Sequence, residues 1–176
     1  LGDVYKRQTN NYGPWQFPEK LIPLVALNAL EGKPLPVYGD GSNIRDWIHV
    51  DDHAEALCLA ALARGKPGET YCIGPRQERT NLQVVRTICA VLDRLRPDPA
   101  GKRERLITYV KDRPGHDFRY AMDPSGAEGA LGWTAQYNFE AGLEQTLRWY
   151  LDHAAWWGPI RARRYAGERL GQATSG

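Results

Sequence analysis

No C-x-x-C pair occurs in the sequence, and the three cysteines, Cys58, Cys72 and Cys89, each sit in a separate apolar run. A zinc site therefore has no support from cysteine spacing, and the odd count reads as buried free thiols of a reducing compartment. No apolar run reaches the length of a membrane span, and no secretory signal is visible. An excess of one charge is missing too: the formal net charge is +2, with acidic and basic residues interspersed. That leaves no electrostatic footprint for nucleic acid. No G-x-x-G-x-x-G or G-x-G-x-x-G run opens a strand–helix unit, so a dinucleotide pyrophosphate has no cradle here. No tyrosine is followed four residues later by a lysine. Internal repeats and low-complexity segments are absent as well. The expectation is a cytoplasmic chain, and its 176 residues are enough for one domain with a core.

What is present alternates without a steady rhythm. The string Thr9-Asn10-Asn11-Tyr12-Gly13-Pro14-Trp15 reads as an ordered loop, since Gly13-Pro14 and Pro18 forbid helix across it. Residues 19–30 predict a helix apolar on most sides, which calls for burial, ending at Gly32. Residues 35–38 predict a short strand closed by a Gly39-Asp40-Gly41 turn, and residues 45–50 a second extended piece. Asp51 and Asp52 suit the start of a helix running to residue 63. Residues 70–74 have the β-rich composition of a buried parallel strand, the others that of accessory pairings. A helix over 82–95 follows, with Thr80 or Asn81 as its cap. Strand-like pieces at 106–110 and 118–122 flank a loop at 112–116. Helices over 125–131 and 139–157 complete the pattern, and Arg161, Arg163 and Arg164 make a solvated basic tail.

Several residues have both a plain and a chemical reading. Pro114-Gly115 forces a turn that presents Arg113 and His116, and a guanidinium fork matches phosphate oxygens. An Arg–Asp surface pair with Asp112 explains the same residues equally well. Arg45 follows a glycine-rich turn that could close around a ligand, although a lone arginine is more often solvated. Pro36, Val37 and Tyr38 offer apolar walls and an aromatic face, or simply an edge strand. Lys20 is a first-turn surface residue and Asn81 a helix cap unless other information intervenes. Asn10 and Asn11 carry donors and acceptors suited to sugar hydroxyls or a carboxamide. His49 and His53 have i, i+4 spacing, but Asp51 places the helix start between them and no third ligand follows, so a metal is the weaker reading.

The order N-N-Y-G-P…F-P-E-K-L-I-P, Y-G-D-G-x-x-x-R-D-W and R-P-G-H-D, spread over residues 9–151, resembles the nucleoside-diphosphate-sugar branch of the extended short-chain dehydrogenase/reductase family. Within that branch it is similar to the dehydratases acting on dTDP-glucose. The resemblance implies an α/β fold: the C-terminal part of an extended Rossmann-type domain with its mixed α/β substrate-binding lobe, without the dinucleotide-binding half. It implies NAD as cofactor, a nucleotide sugar such as dTDP-glucose as substrate, and a homodimeric full-length protein. By the same resemblance Arg45 and Arg113 bind the diphosphate or nucleotide, and Pro36, Val37 and Tyr38 face the base. Asn10, Lys20, Leu21, Asn81, Asp112, Pro114, Gly115 and His116 contact the substrate, while Asn11 lies beside the nicotinamide end of the cofactor. The family's tyrosine base and acidic pair precede the Asn10-Asn11 segment, so no catalytic residue is assigned here and the chain by itself is expected to be inactive. Residues 1–8 match nothing in the family pattern and are set aside as a foreign end; residues 9–157 form the lobe and 158–176 a tail. Departures are Cys72 and Pro75 in the Tyr71–Pro75 string and the lack of a clear counterpart, after Tyr165, to the family's last substrate-contacting tyrosine. A UDP-sugar epimerase or decarboxylase of the same family, and a non-catalytic sugar-nucleotide-binding module, are the alternatives.

Overall fold

The computed structural model describes residues 5–112 and 114–163. The expected positions Arg113, Arg164 and Tyr165 lie outside them. Eight strands and six α-helices are present among the described residues, with a π-helical turn at Leu59–Ala63 and a 3-10 turn at Arg103–Leu106. They are β1 (Tyr5–Gln8), β2 (Asn10–Tyr12), α1 (Leu21–Leu30), β3 (Leu35–Tyr38), β4 (Ile44–His49), α2 (Val50–Cys58), β5 (Thr70–Ile73) and β6 (Glu78–Thr80). There follow α3 (Asn81–Leu95), β7 (Ile107–Val110), β8 (Arg119–Tyr120), α4 (Ser125–Leu131), α5 (Phe139–Asp152) and α6 (Ala154–Arg163). Four of the five strand pairings are parallel: β1 with β5, β2 with β4, β3 with β7 and β4 with β8. Parallel character thus extends well beyond residues 70–73. Short polar strands such as Asn10–Tyr12 carry no hydrophobic run that would announce it.

The mixed α/β character agrees with expectation, and several local readings need correction. Tyr5–Gln8 belongs to the fold: it pairs with Thr70–Ile73 through backbone groups, which no side-chain pattern reveals. Asn10–Tyr12, expected as loop, is a strand in register with Trp47–His49. His49, not Asp51, caps α2, its Nδ1 accepting from Asp51 N–H at 3.3 Å. The 112–116 loop is no hairpin end, because β7 pairs with β3 and β8 with β4. Cys58 is exposed and Cys72 half-buried; only Cys89 is buried, and burial pushes its thiol up to about 12. Gly126, Gly129 and Gly132 have a G-x-x-G-x-x-G spacing, but they lie along and just after α4 rather than at a strand-to-helix turn.

The principal core forms where α1, α3 and α5 pack on Tyr12, Leu35, Val37 and Trp47. Helix α1 needs no amphipathic stripe, since seven of its ten residues are buried. Helix α3 starts at a capping box in which Thr80 and Gln83 bond each other's backbone. A second cluster joins Ile48, Tyr71 and Ile73 to Leu131 and Trp133. There the Trp133 indole donates to Asp52 O at 3.0 Å, and the Asp52 carboxylate accepts from Gln136 and Tyr137 N–H at 2.9 and 3.1 Å. No helix among the described residues is long and apolar enough to cross a membrane.

The expected single helix over 139–157 is two, broken at His153, and α6 continues through Pro159 into the expected tail. Arg161 is therefore no solvated residue. Its side chain is 6% exposed, and Nη2 donates to Asn28 Oδ1 at 3.0 Å and Glu31 Oε2 at 2.8 Å, locking α6 to the end of α1. Arg161→Ala leaves Asn28 Oδ1 without this donor and Glu31 with Lys33 alone, and should lower stability by about 1–3 kcal/mol in urea denaturation; an unchanged midpoint would show that α6 docks without it.

Candidate functional site

Because β3 and β7 run parallel, their C-terminal ends open on one edge, with Tyr38 in register with Val110. The turn after β3 is pinned there: Gly39 N–H donates to Val110 O at 2.9 Å and Gly41 N–H to Tyr38 O at 3.0 Å. Gly41 has φ +76°, and a Cβ on it would lie 2.7 Å from Val37 Cγ1 and 2.8 Å from Leu82 Cβ. Only glycine fits that approach. Its carbonyl accepts from Leu82 N–H at 3.1 Å and the Asn43 carbonyl from Asn81 N–H at 2.9 Å, seating the first residue of α3 on the turn. Past β7, Asp112 bonds His116 at 2.7 Å, and the His116 ring stands edge-on to Tyr38 at 6.5 Å. Tyr38, Asn81, Asp112 and His116 thus gather around one turn, while Pro36 and Val37 sit on the strand leading into it. Gly115, after Pro114, carries φ +68° in the same loop.

Arg45 joins this group through the next segment. Its Nη2 donates to Asp117 O at 2.8 Å and its Nη1 to Ile44 O at 2.6 Å, while Asn43 Nδ2 reaches the same Asp117 carbonyl at 3.2 Å. With 7% of its surface exposed, Arg45 is a built-in cation rather than a solvated one. The amides enter from the other neighbour of β4. Asn10 is in register with Trp47, two residues along the strand from Arg45. Asn11 Nδ2 donates to Thr9 O at 3.3 Å, and its carboxamide oxygen is buried without a partner. Lys20 caps α1 by backbone geometry, with its ammonium 2.7 Å from the Glu19 carboxylate, and Leu21 packs against the principal core.

Two residues of weight here have no role in the sequence reading. Asp46 is fully buried, with Oδ1 accepting from Gln77 N–H at 2.6 Å and Oδ2 unpartnered. Burial raises its carboxyl above the ordinary value, with the Glu78 charge adding to it. Gln77 passes the constraint on, donating from its side chain to Tyr137 O at 2.6 Å and accepting from Phe139 N–H. The Arg45-Asp46-Trp47 string marks Asp46 in the sequence, whereas nothing marks Gln77. His49 stacks on Tyr137 at 4.0 Å and meets Tyr12 edge-on at 5.3 Å, and burial lowers its pKa. No group of three metal-ligating side chains occurs among the described residues.

A carboxyl whose folded pKa is raised favours the native state below its unfolded value of about 4 and loses that contribution as pH climbs through the folded value. Asp46→Asn keeps the acceptor for Gln77 and removes the ionisation. The difference in unfolding free energy between wild type and variant should therefore shift toward the variant between pH 4 and pH 7 in paired urea titrations. A pH-independent difference would mean that Asp46 titrates normally.

A family model described as GDP-mannose 4,6 dehydratase matches residues 4–146. The chain is 58% identical over 168 residues to a probable dTDP-glucose 4,6-dehydratase of Sinorhizobium fredii, covering 96% of this chain and 47% of that protein. It is 55% identical over 174 residues to a dTDP-glucose 4,6-dehydratase of Escherichia coli, covering 97% and 48%. Among solved structures, the dTDP-glucose 4,6-dehydratase of Bacillus anthracis in complex with NAD superposes with a TM-score of 0.80 at 46% identity, over 89% of this chain and 47% of that one. The Streptomyces venezuelae dTDP-glucose 4,6-dehydratase with NAD and TYD bound gives 0.80 at 44% identity, over 89% and 46%. The chain spans about half the length of the relatives it matches.

Proposed function

The chain belongs to the GDP-mannose 4,6 dehydratase family, and on that premise we propose that it is the nucleotide-sugar-binding portion of an NAD-dependent dehydratase acting on dTDP-glucose. The observation that carries this reading is the gathering of Tyr38, Asn81, Asp112 and His116 around the turn after β3, with the buried Arg45 held on the Asp117 carbonyl next to His116 in the chain. Arg45 and Arg113 would share the diphosphate. Pro36, Val37 and Tyr38 would face the base. Asn10, Lys20, Leu21, Asn81, Pro114, Gly115 and His116 would complete the contacts to nucleotide and sugar. A buried, pre-positioned guanidinium is suited to a doubly charged ligand, because a fork of donors held in place loses little freedom on binding.

The family reaction oxidises the sugar at C4, eliminates water across C5 and C6 and returns the hydride to C6, with NAD taking up and giving back that hydride. The unpartnered Asn11 carboxamide oxygen fits a group bearing amide N–H donors, such as the nicotinamide end of that cofactor. The rest of the chain offers neither a glycine-rich cradle nor a Tyr-x-x-x-Lys pair. Its share of the work is therefore to hold the sugar nucleotide while groups elsewhere move protons and hydride. A homodimeric, cytoplasmic enzyme belongs to the same reading.

Calorimetric titration of the protein as expressed from its gene should show dTDP-glucose binding more tightly than UDP-glucose. Arg45→Ala should weaken dTDP-glucose about 30-fold, or ~2 kcal/mol. Equal affinity in wild type and variant would remove Arg45 from the site, and a preference for UDP-glucose would favour an epimerase of the same family. The 176-residue chain supplied with NAD should leave dTDP-glucose unconverted; turnover would contradict the division of labour.

A further inference from the structure

Trp15 is 60% exposed and has φ +64°, a left-handed backbone that a bulky aromatic residue rarely adopts. Such a conformation persists where the surroundings hold it, and here they come from the far end of the chain. The Trp15 ring lies 4.8 Å from Trp149, 5.3 Å and nearly perpendicular from Trp156, and 6.1 Å from His153. Trp149 in turn stacks on His153 at 4.4 Å with an 11° tilt, and meets Trp156 at 5.3 Å. The group sits on the break between α5 and α6, where His153 Nδ1 lies 2.8 Å from Trp149 O and Trp157 Nε1 donates to Tyr150 O at 2.8 Å. One residue along from Trp15, the Gln16 carbonyl accepts from the buried Tyr150 hydroxyl at 2.6 Å. The Gln16 side chain then donates to Asn11 O at 2.9 Å. A continuous path therefore runs from the α5–α6 break, through Trp15 and Gln16, to the backbone of Asn11.

We propose that Trp149, His153 and Trp156 are positioning residues that clamp Trp15 and thereby set the placement of the Asn10 and Asn11 carboxamides for the ligand. The proposal rests on the reading of Asn10 and Asn11 as ligand contacts. The left-handed turn at Trp15 is the joint of the device. Aromatic pairs hold by edge and face contacts that tolerate little displacement, so the ring fixes the turn and the turn fixes the hydrogen bond from Gln16. The clamp acts through the geometry of the amides.

Two variants separate the clamp from general stability. Trp149→Ala empties the centre of the cluster, while Trp15→Gly removes the ring and at the same time frees the backbone to adopt the positive φ without strain. In the protein as expressed from its gene, both should speed hydrogen exchange of the amides of residues 11–17 at least tenfold and leave α3 unchanged. Both should weaken dTDP-glucose about tenfold with a cooperative melting transition retained, and Trp149→Phe should restore much of the affinity. Wild-type exchange in the 11–17 segment of Trp15→Gly would overturn the clamp, and so would wild-type affinity in both variants. If Trp149→Ala does not fold, the exposed Trp15→Gly position decides alone. If the wild-type protein binds no dTDP-glucose, the functional reading fails, and the exchange result still decides whether the clamp exists.

Discussion

Strand β4 must satisfy three neighbours with six residues, and that constraint organises the molecule. Its first half lies between β6, antiparallel, and β8, parallel; its second half pairs with β2. Alternation along it then places Arg45 and Trp47 toward one side and Asp46 and Ile48 toward the other. The cation proposed for the ligand and the carboxylate that holds the Gln77 segment are adjacent residues with different tasks. Burying Asp46 with one unpartnered oxygen costs stability. The cost falls where the β4–β6 pairing ends and the path to α5 begins, through Gln77 and Phe139.

The site is then assembled at the rims of two parallel pairs. The β3–β7 edge carries the proposed apolar wall and the Asp112–His116 pair; the β2–β4 pair carries the amides, and Arg45 lies in the half of β4 that pairs with β6 and β8. Two kinds of interaction join them: backbone bonds from the Gly41 turn to the start of α3, and the Asp117 carbonyl shared by Asn43 and Arg45. Backbone acceptors of this kind are indifferent to side-chain identity. A binding edge can keep its shape while the residues facing the ligand are chosen for chemistry.

The sequence made these helices legible for different reasons: α1 by an apolar run closed by Gly32, α3 by its apolar stripe and the Thr80 cap, and α4 by its end at Gly132. The turn at Gly39–Gly41 was equally plain, since glycine pairs around an aspartate admit few structures. Strand partners were not legible. Tyr5–Gln8 has no hydrophobic run to announce its pairing with Thr70–Ile73, and β7 and β8, neighbours in sequence, pair with different strands. Arg161 also escaped, because a buried arginine differs from a solvated one only in the acceptors that the rest of the chain brings to it, here Asn28 and Glu31. The candidate ligand contacts were readable only as motifs. Their chemistry is generic, and the turn that gathers Tyr38, Asn81 and His116 draws on residues more than 70 positions apart.

The most direct measurement is a crystal structure of the protein with dTDP-glucose bound. The account predicts the diphosphate lying between the guanidinium groups of Arg45 and Arg113, with the base against Pro36, Val37 and Tyr38 and the sugar turned toward Asn10. Density for the nucleotide elsewhere, or the two arginines on opposite flanks of the molecule, would contradict it.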